Sequence, residues 1–567
     1  MLQIKLYSAD GSLVIYTGFG TASGSKFPGY ETTTEFQLAV NTNANSDTLS
    51  TISSYNQTVF DSTAVSDYEF SGFTTQWTVA AGASITLPLV NTRAEGSLSY
   101  NCTVRWGDGT ESTVTAYNDA NRVHTYTNAG TYNVEIVGTC EGWSFNNAGD
   151  KTKIVAVLNF GNTNVFNGFK YLKGGFYGCT NLTSLGTNPI PASGTGVLTD
   201  GFYNTFQSCT SLASIPTGLF DLHKSLTTNA FRGAFSYSGL TSIPTGLFDK
   251  NIGVTTYGFQ YAFQGCTGLA SIPTGLFDKN TGVTTYGFQG TFYGCTGLTS
   301  IPTDLFKKNT SLTTYAFYFT FYGCTGLTSI PTDIFRYNIG ITTSAFYGTF
   351  YGCTKLTTLP TGLFDYNTSV STGGFYQTFY GCTALATVPV NLFRLNTAVT
   401  TTGFYQTFYN CPKLQINQNI FYADGEESTR FLNKVSDFTS CFTRTTFTGS
   451  QGTAPDLWAC NFGEGMIINV APATDWAAND VITGQTSGAT CVVVSKTNTT
   501  YYKVLNHQGT FTSGEQIGVT GVPAKLAQQK FGAPTFTGTP VATTCYSGIG
   551  NSGTSLSNYA SIPATWL

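Results

Sequence analysis

The chain has 567 residues, of which 10% are charged, 15% are aromatic and 63 are Gly, and its net charge is −4. A surface so poor in Lys and Arg has no basic field to steer nucleic acid or hold anionic lipid, so neither is an expected partner. Polar surface must come from Thr, Ser, Asn and Gly, which suits neutral partners such as glycans or other protein subunits.

No apolar run approaches the ~20 residues that span a bilayer, so no membrane segment is expected. The first residues, Met1-Leu2-Gln3-Ile4-Lys5-Leu6-Tyr7, have no charged stretch leading into an apolar one, and no signal peptide is expected there. Residues 1–72 read as an N-terminal β or extended docking segment. Leu2–Tyr7 alternates, Ala9-Asp10-Gly11-Ser12 is a turn and Leu13–Tyr16 follows, which predicts a hairpin. Residues 41–64, rich in Asn, Ser and Thr, predict a loop or an extended arm.

Residues 73–150 carry the alternation of a β-sandwich in Ala83–Pro88, Tyr100–Trp106 and Thr131–Val137, with a tight turn at Gly107-Asp108-Gly109. Asp108 reads as a turn-capping residue and His124 as a sandwich-edge residue rather than as ligands or bases. The series Trp106-Gly107-Asp108-Gly109-Thr110, His124-Thr125-Tyr126 and Gly130-Thr131-Tyr132-Asn133-Val134 resembles the PKD domain, which implies an Ig-like sandwich.

Residues 151–463 are dominated by a repeat. Its clearest copy is Phe288-Gln289-Gly290-Thr291-Phe292-Tyr293-Gly294-Cys295-Thr296-Gly297-Leu298-Thr299-Ser300-Ile301-Pro302, and Cys recurs every 29 residues at 266, 295, 324, 353, 382 and 411. Earlier copies carry Cys179 and Cys209, Tyr237 is read at the Cys place of the copy between 209 and 266, and Cys441 continues the series. A fixed period of this size signals a solenoid whose units bury their apolar faces only against their neighbours. Equivalent positions stack, so the Cys row is expected to be a small buried core row; the spacing matches no zinc site. The order of a PKD-like module, then a linker, then F-x-x-C-T-x-L repeats resembles the BspA-type leucine-rich-repeat surface proteins. The resemblance covers roughly residues 73–463 and implies a mainly β fold with short helices, a leucine-rich-repeat solenoid of about ten 29-residue coils.

Within one copy, Leu298-Thr299-Ser300-Ile301 predicts a short strand of a parallel sheet, ended by Pro302 because it lacks an N–H. On the other limb, Phe375 and Phe379 lie four apart, as do Tyr376 and Tyr380. A helical turn would put the Phe pair in the core and the Tyr pair about 100° away, toward solvent. The Phe pair persists through most copies, whereas Gln or Arg takes Tyr places in early ones and Tyr fills both places only later. Tolerance of polar residues argues exposure, so Tyr293, Tyr318, Tyr322, Tyr347, Tyr351, Tyr376, Tyr380, Tyr405 and Tyr409 form the candidate binding surface. Recent duplication with drift is the competing explanation of the same rows.

Residues 464–530 change character to short alternating strands with Gly turns, predicting a small inserted β module, with 531–567 as the C-terminal cap of the solenoid. The phrase Ile482–Thr490, followed by Gly514–Ile517, resembles small β modules of tailed-phage structural proteins. His124, His223 and His507 lie in separate segments, and no P-loop or dinucleotide fingerprint occurs, so neither enzyme activity nor a cofactor or metal is expected. The resemblances together imply a non-enzymatic virion surface protein of a tailed phage, a fibre or decoration that adheres to host-surface glycan or protein. Other virion proteins would dock through residues 1–72, and a homo-oligomer is left open. The alternatives are a bacterial cell-surface adhesin and a purely structural virion subunit whose Tyr rows pack against neighbouring copies.

Overall fold

The computed structural model describes residues 71–191 except 94–95, residues 200–414, 420–421 and 439–442, and residues 474–519 except 499–500 and 513–514. It also describes the backbone of short strands in 3–52, at 465–467 and at 535–537. These residues form two compact units, Met1–Thr199 with Cys209–Leu212, and Asp200–Ser208 with Ala213–Leu567. The fold is mainly β. Among the described residues the one helical element is a 3-10 turn at Ala120–Arg122, so the short helices expected in the repeats do not form there.

The first unit opens on a four-stranded antiparallel sheet of β1 (Gln3–Tyr7), β2 (Leu13–Ile15), β3 (Phe36–Asn41) and β4 (Thr48–Ile52), in the order β2-β1-β3-β4. The predicted hairpin is β1–β2, and part of the predicted loop at 41–64 is strand β4, paired with β3. The strands β5 (Phe73–Val79), β6 (Ser84–Thr86), β7 (Thr92–Arg93), β8 (Gly96–Ser97), β9 (Tyr100–Arg105), β10 (Glu111–Val114), β11 (Val123–Thr125), β12 (Gly130–Cys140) and β13 (Ile154–Phe160) follow. Five of them make the sheet β10-β9-β12-β5-β13, while β11 pairs with β6. Alternate residues of these strands, with Trp106 and Tyr126 beside them, supply a buried core: Trp77, Ile85, Val104, Trp106, Tyr126, Val134 and Ile136 are all 0% exposed.

Strand β13 extends the sheet past the expected boundary at residue 150, for a physical reason. One of its edges pairs with β5 in antiparallel fashion, Ile154 opposite Trp77. The other edge starts the coils: Thr183 N–H donates to Val155 O at 2.9 Å, Val157 N–H to Ser184 O at 3.0 Å, and Ala156 and Ser184 form a parallel bridge. A terminal coil would otherwise present bare backbone groups and an open apolar face, and here a sheet edge covers both.

The second unit stacks coils of 29 residues, and three Phe columns fill its centre. One runs through Phe231, Phe259, Phe288, Phe317, Phe346, Phe375 and Phe404, a second through Phe235, Phe263, Phe292, Phe321, Phe350, Phe379 and Phe408, and a third through Phe248, Phe277, Phe306, Phe335, Phe364 and Phe393. All are 0% exposed. The expectation that the Phe pair faces the core holds, but the backbone that achieves it is not helical.

A chain of turns replaces the helix. Alternate residues bond within the coil, as Gln260 N–H to Tyr257 O at 3.2 Å and Ala262 N–H to Phe259 O at 3.1 Å. The residues between them donate to the next coil: Tyr257 to Thr285, Phe259 to Gly287, Tyr261 to Gln289, Phe263 to Thr291 and Gly265 to Tyr293, at 2.7–3.1 Å. An α-helix would consume these donors internally, and its diameter of ~10 Å cannot fit coils whose Phe rings stack 5.5–6.5 Å apart. Every fourth residue turns left-handed, as at Tyr286, Gly290 and Gly294 with φ of 55°, 58° and 69°. Period four puts i and i+4 on one face, as a helix would, so the facing inference survives the wrong conformation.

The predicted parallel strand shrinks to single contacts. Thr299 N–H reaches Ala270 O at 3.4 Å and Thr328 N–H reaches Thr299 O at 3.4 Å, and Thr358 and Thr387 form an isolated parallel bridge. Pro302 and its equivalents deny the ladder a further donor, so the turn limb, not a sheet, carries most of the coil-to-coil bonding. The Cys row is buried as expected, and from Cys209 to Cys411 its thiols donate to a Phe carbonyl of the preceding coil, as Cys295 to Phe263 O and Cys324 to Phe292 O, both at 3.1 Å. Burial pushes the Cys324 thiol up to about 12 and the Cys266 thiol to about 11, so neither is a ready nucleophile. Ser238, not Tyr237, holds the Cys place in its copy: Ser238 Oγ lies 3.3 Å from Cys266 Sγ, while Tyr237 takes the left-handed turn position with φ of 57°. A one-residue deletion in that copy causes the offset.

Beyond residue 442 the described part of this unit is a six-stranded antiparallel sheet. Its strands β14 (Gly465–Ile467), β15 (Val481–Gly484), β16 (Thr490–Asn498), β17 (Tyr501–Gln508), β18 (Ile517–Val519) and β19 (Thr535–Thr537) lie in the order β18-β15-β16-β17-β14-β19. The predicted small β module is present, but β19 pairs with β14, so the module closes beyond residue 530. The expected cap in the rest of 531–567 lies outside the described residues.

Glu515 fixes this module's turn. Its buried carboxylate accepts from Thr486 N–H at 2.9 Å, from Ser487 N–H and Oγ at 2.8 Å each, and from Thr512 N–H. Burial alone would raise its pKa; the bonds from Ser487, Thr512 and Thr486 outweigh that and hold it below the usual carboxylate range. A depressed folded-state pKa contributes stability that is present above the unfolded value and is lost as pH falls through the folded one. Glu515→Gln is therefore expected to cost the module about 2–3 kcal/mol at neutral pH and less in acid, measured as urea unfolding at pH 7 and pH 3. An equal cost at both pH values would contradict the assignment.

Candidate binding surface

The nine candidate tyrosines form two columns on the turn limb. Tyr293, Tyr322, Tyr351, Tyr380 and Tyr409 stack face to face with ring centroids 4.3–4.7 Å apart and interplanar angles of 2–9°. Tyr318, Tyr347, Tyr376 and Tyr405 make the second column at 4.2–4.6 Å. The residue after each core Phe must point away from the core, and a 29-residue period with no insertion brings each ring over its copy. Each such pair contributes about 0.5–1.5 kcal/mol beyond burial.

Exposure is less than the pattern suggested. All nine rings are half-buried, because stacking covers their faces. Solvent meets ring edges and hydroxyls. Burial raises the pKa of Tyr347, followed by the neighbouring Tyr376 and Tyr318 phenols, whose ionisation would place like charges side by side; Tyr351 is raised in the same way by burial and then Tyr322 and Tyr380. Tyr347 and Tyr351 thus stay neutral donor–acceptor groups through the physiological range. A flat sugar has no free Tyr face to lie on along them, except at a column end.

Between the two columns runs a row of left-handed positions that alternates large with small. A Cβ on Gly290 would meet Tyr261 Cε1 at 2.2 Å, and one on Gly348 would meet Phe319 Cδ1 at 2.4 Å. Each large ring therefore lies across the glycine of the next coil. Phe319 packs edge-on against Tyr322 and Tyr347, at 5.1 and 5.3 Å, tying the columns into one aromatic sheet. Where the row continues, Gln377 Nε2 donates to Gln406 Oε1 at 2.7 Å.

No protein-family model matches this chain, and no curated protein is significantly similar to it.

Two further rows were missed in the sequence. Tyr257, Tyr286 and Tyr315 stack at 4.9 and 4.5 Å, in a row of their own that starts earlier in the array than the nine. Tyr337 and Tyr366, two residues after the core residues Phe335 and Phe364, are 39% and 45% exposed, against the half-buried stacked rows. Their signal is a Tyr at places where the copies at Phe248, Phe277, Phe306 and Phe393 carry Lys or Leu.

Asp108 and His124 have structural partners. Asp108 Oδ1 accepts from Thr110 N–H and Oγ1, closing the turn, and Oδ2 lies 2.7 Å from His124 Nε2. His124 stacks on Trp106 at 4.8 Å. Burial would raise the Asp108 pKa, but bonds from Thr110 and His124 lower it overall. Among the described residues no three His, Cys, Asp or Glu converge as a metal site.

Proposed function

We propose that this chain is a non-enzymatic surface protein of a tailed-phage virion, a fibre or decoration that adheres to host-surface glycan or protein through its coils. The observation that carries the reading is the pair of aligned Tyr columns, a neutral, rigid, repeating strip of phenol edges and hydroxyls. Such a strip recognises a repeating neutral partner by many weak, additive contacts rather than by one deep pocket. The PKD-like and BspA-type leucine-rich-repeat resemblances support the adhesive part, and the phage-like phrase at Ile482–Thr490 supports the virion part. Residues 1–72 are the segment proposed to dock on other virion proteins.

A second reading has its own support. The rings spend their faces on one another, which is also what a purely structural subunit would do to stiffen its coils. Mass spectrometry of purified virions, together with binding of the full chain to host cells, tests the first reading. Stoichiometric presence and saturable binding are expected; presence without binding favours the structural subunit, and binding without presence in virions favours a bacterial cell-surface adhesin.

A further inference from the structure

We propose that Tyr337 and Tyr366, with Arg336 between them, form a binding site for an uncharged hexopyranosyl glycan. This rests on the adhesive reading above and gives it a ligand class and a second face of the coils, away from the Tyr columns. The two rings occupy one column, 29 residues apart, and upstream the same column holds Lys250, Lys279 and Lys308. The fold therefore does not need an aromatic there. Exposed aromatic rings at a place that tolerates Lys are not core, and their burial elsewhere does not explain them.

The polar groups around the rings are arranged for hydroxyls. The Arg336 guanidinium lies 4.8 Å from the Tyr366 centroid and 5.9 Å from that of Tyr337, so one planar donor serves both rings. Asp333 holds Arg336 at 3.4 Å, and Lys307, 5.7 Å from the Tyr337 centroid, pairs with Asp304 at 3.4 Å. A pyranose offers a C–H face that lies on a phenol ring and vicinal hydroxyls at its rim. A guanidinium donates to those hydroxyls and a carboxylate accepts from them. Arg336 and Lys307 are each matched by their own carboxylate three residues earlier, which weakens the local field that would select an ionic polymer. An acidic sugar would gain from Arg336 but meet Asp333. The Tyr columns cannot take a sugar this way, since stacking at 4.2–4.7 Å closes their faces.

The test passes the full chain and the double variant Tyr337→Ser/Tyr366→Ser over immobilised neutral polysaccharides (a glucan, a mannan and a galactan) and over polysialic acid and alginate, with thermal unfolding recorded in parallel. The wild type is expected to be retained on at least one neutral polymer. The double variant should bind it at least tenfold more weakly at an unchanged unfolding midpoint, with Arg336→Ala weaker by several-fold. Equal retention of the double variant, or preference for the acidic polymers, overturns the site. So does a double variant altered only in self-association, which would make the column a contact between copies. Binding to host cells with no retention on any neutral polymer overturns this inference alone; failure to bind both overturns the adhesive reading as well.

Discussion

Asn338→Ala is expected to be among the most damaging single changes in the repeat array, costing about 2–6 kcal/mol, as two buried carbonyls lose their donor at about 1–3 kcal/mol each. The residue is 0% exposed, and its Nδ2 donates to Phe306 O at 3.1 Å and to Asn309 O at 2.9 Å in the preceding coil. The same pair of bonds recurs from Asn280, Asn309, Asn367 and Asn396, so a buried amide links each coil from Asn280 to Asn396 to the one before it. Leu at the same place would fill the volume but leave both carbonyls bare. In a stack whose coils hold only their neighbours, such a break need not stay local: unfolding is expected to split into two transitions at the altered coil. Thr368→Ala, at an exposed place one residue beyond the next Asn, should change stability by less than about 0.5 kcal/mol. Denaturant unfolding of the three proteins checks this, and an Asn338→Ala chain as stable as the control would remove the amide column from the energetics.

Gly348→Ala is expected to destabilise by about 2–5 kcal/mol, from two separable causes. Its φ is 56°, where a side chain costs about 1–2 kcal/mol. A Cβ there would also meet Phe319 Cδ1 at 2.4 Å, and overpacking costs about 1–3 kcal/mol. Phe319→Ala should relieve the second cost and not the first. The double variant is thus expected to be more stable than the sum of the single changes predicts, a coupling that a double-mutant cycle measures. Strict additivity would show that ring and glycine do not touch.

Much of this was legible in the sequence for one reason. A 29-residue period fixes which residues share a column, so the Cys and Phe rows could be placed in the core without knowing the backbone between them. What the period does not encode is how a coil bonds to its neighbour. Phe375 and Phe379 share a face in a helix and in a chain of turns alike, and spacing alone cannot separate the two. The glycine pairs at 290/294 and 348/352, four apart and left-handed, are the sequence mark of the turns. The buried Asn column was equally periodic, at 251, 280, 309, 338, 367 and 396, but a polar residue beside Lys or Tyr reads as surface until its amide is seen bonded inside. Tyr exposure was overstated because columns of rings were treated as independent side chains, whereas copies 4.2–4.7 Å apart cover one another. Strand β13 could not be assigned to one side of the boundary at 150, since it pairs with both the sheet and the first coil.

The measurement that bears most directly on the Tyr columns is host-surface binding by the quadruple variant Tyr318→Phe/Tyr347→Phe/Tyr376→Phe/Tyr405→Phe. Phe keeps the stacked ring and removes the hydroxyl, so the unfolding midpoint should stay within a few degrees of the wild type. If the hydroxyl edge is what a partner reads, binding of the full chain should fall at least tenfold. Full binding by a stably folded variant would contradict that role and leave the columns as architecture.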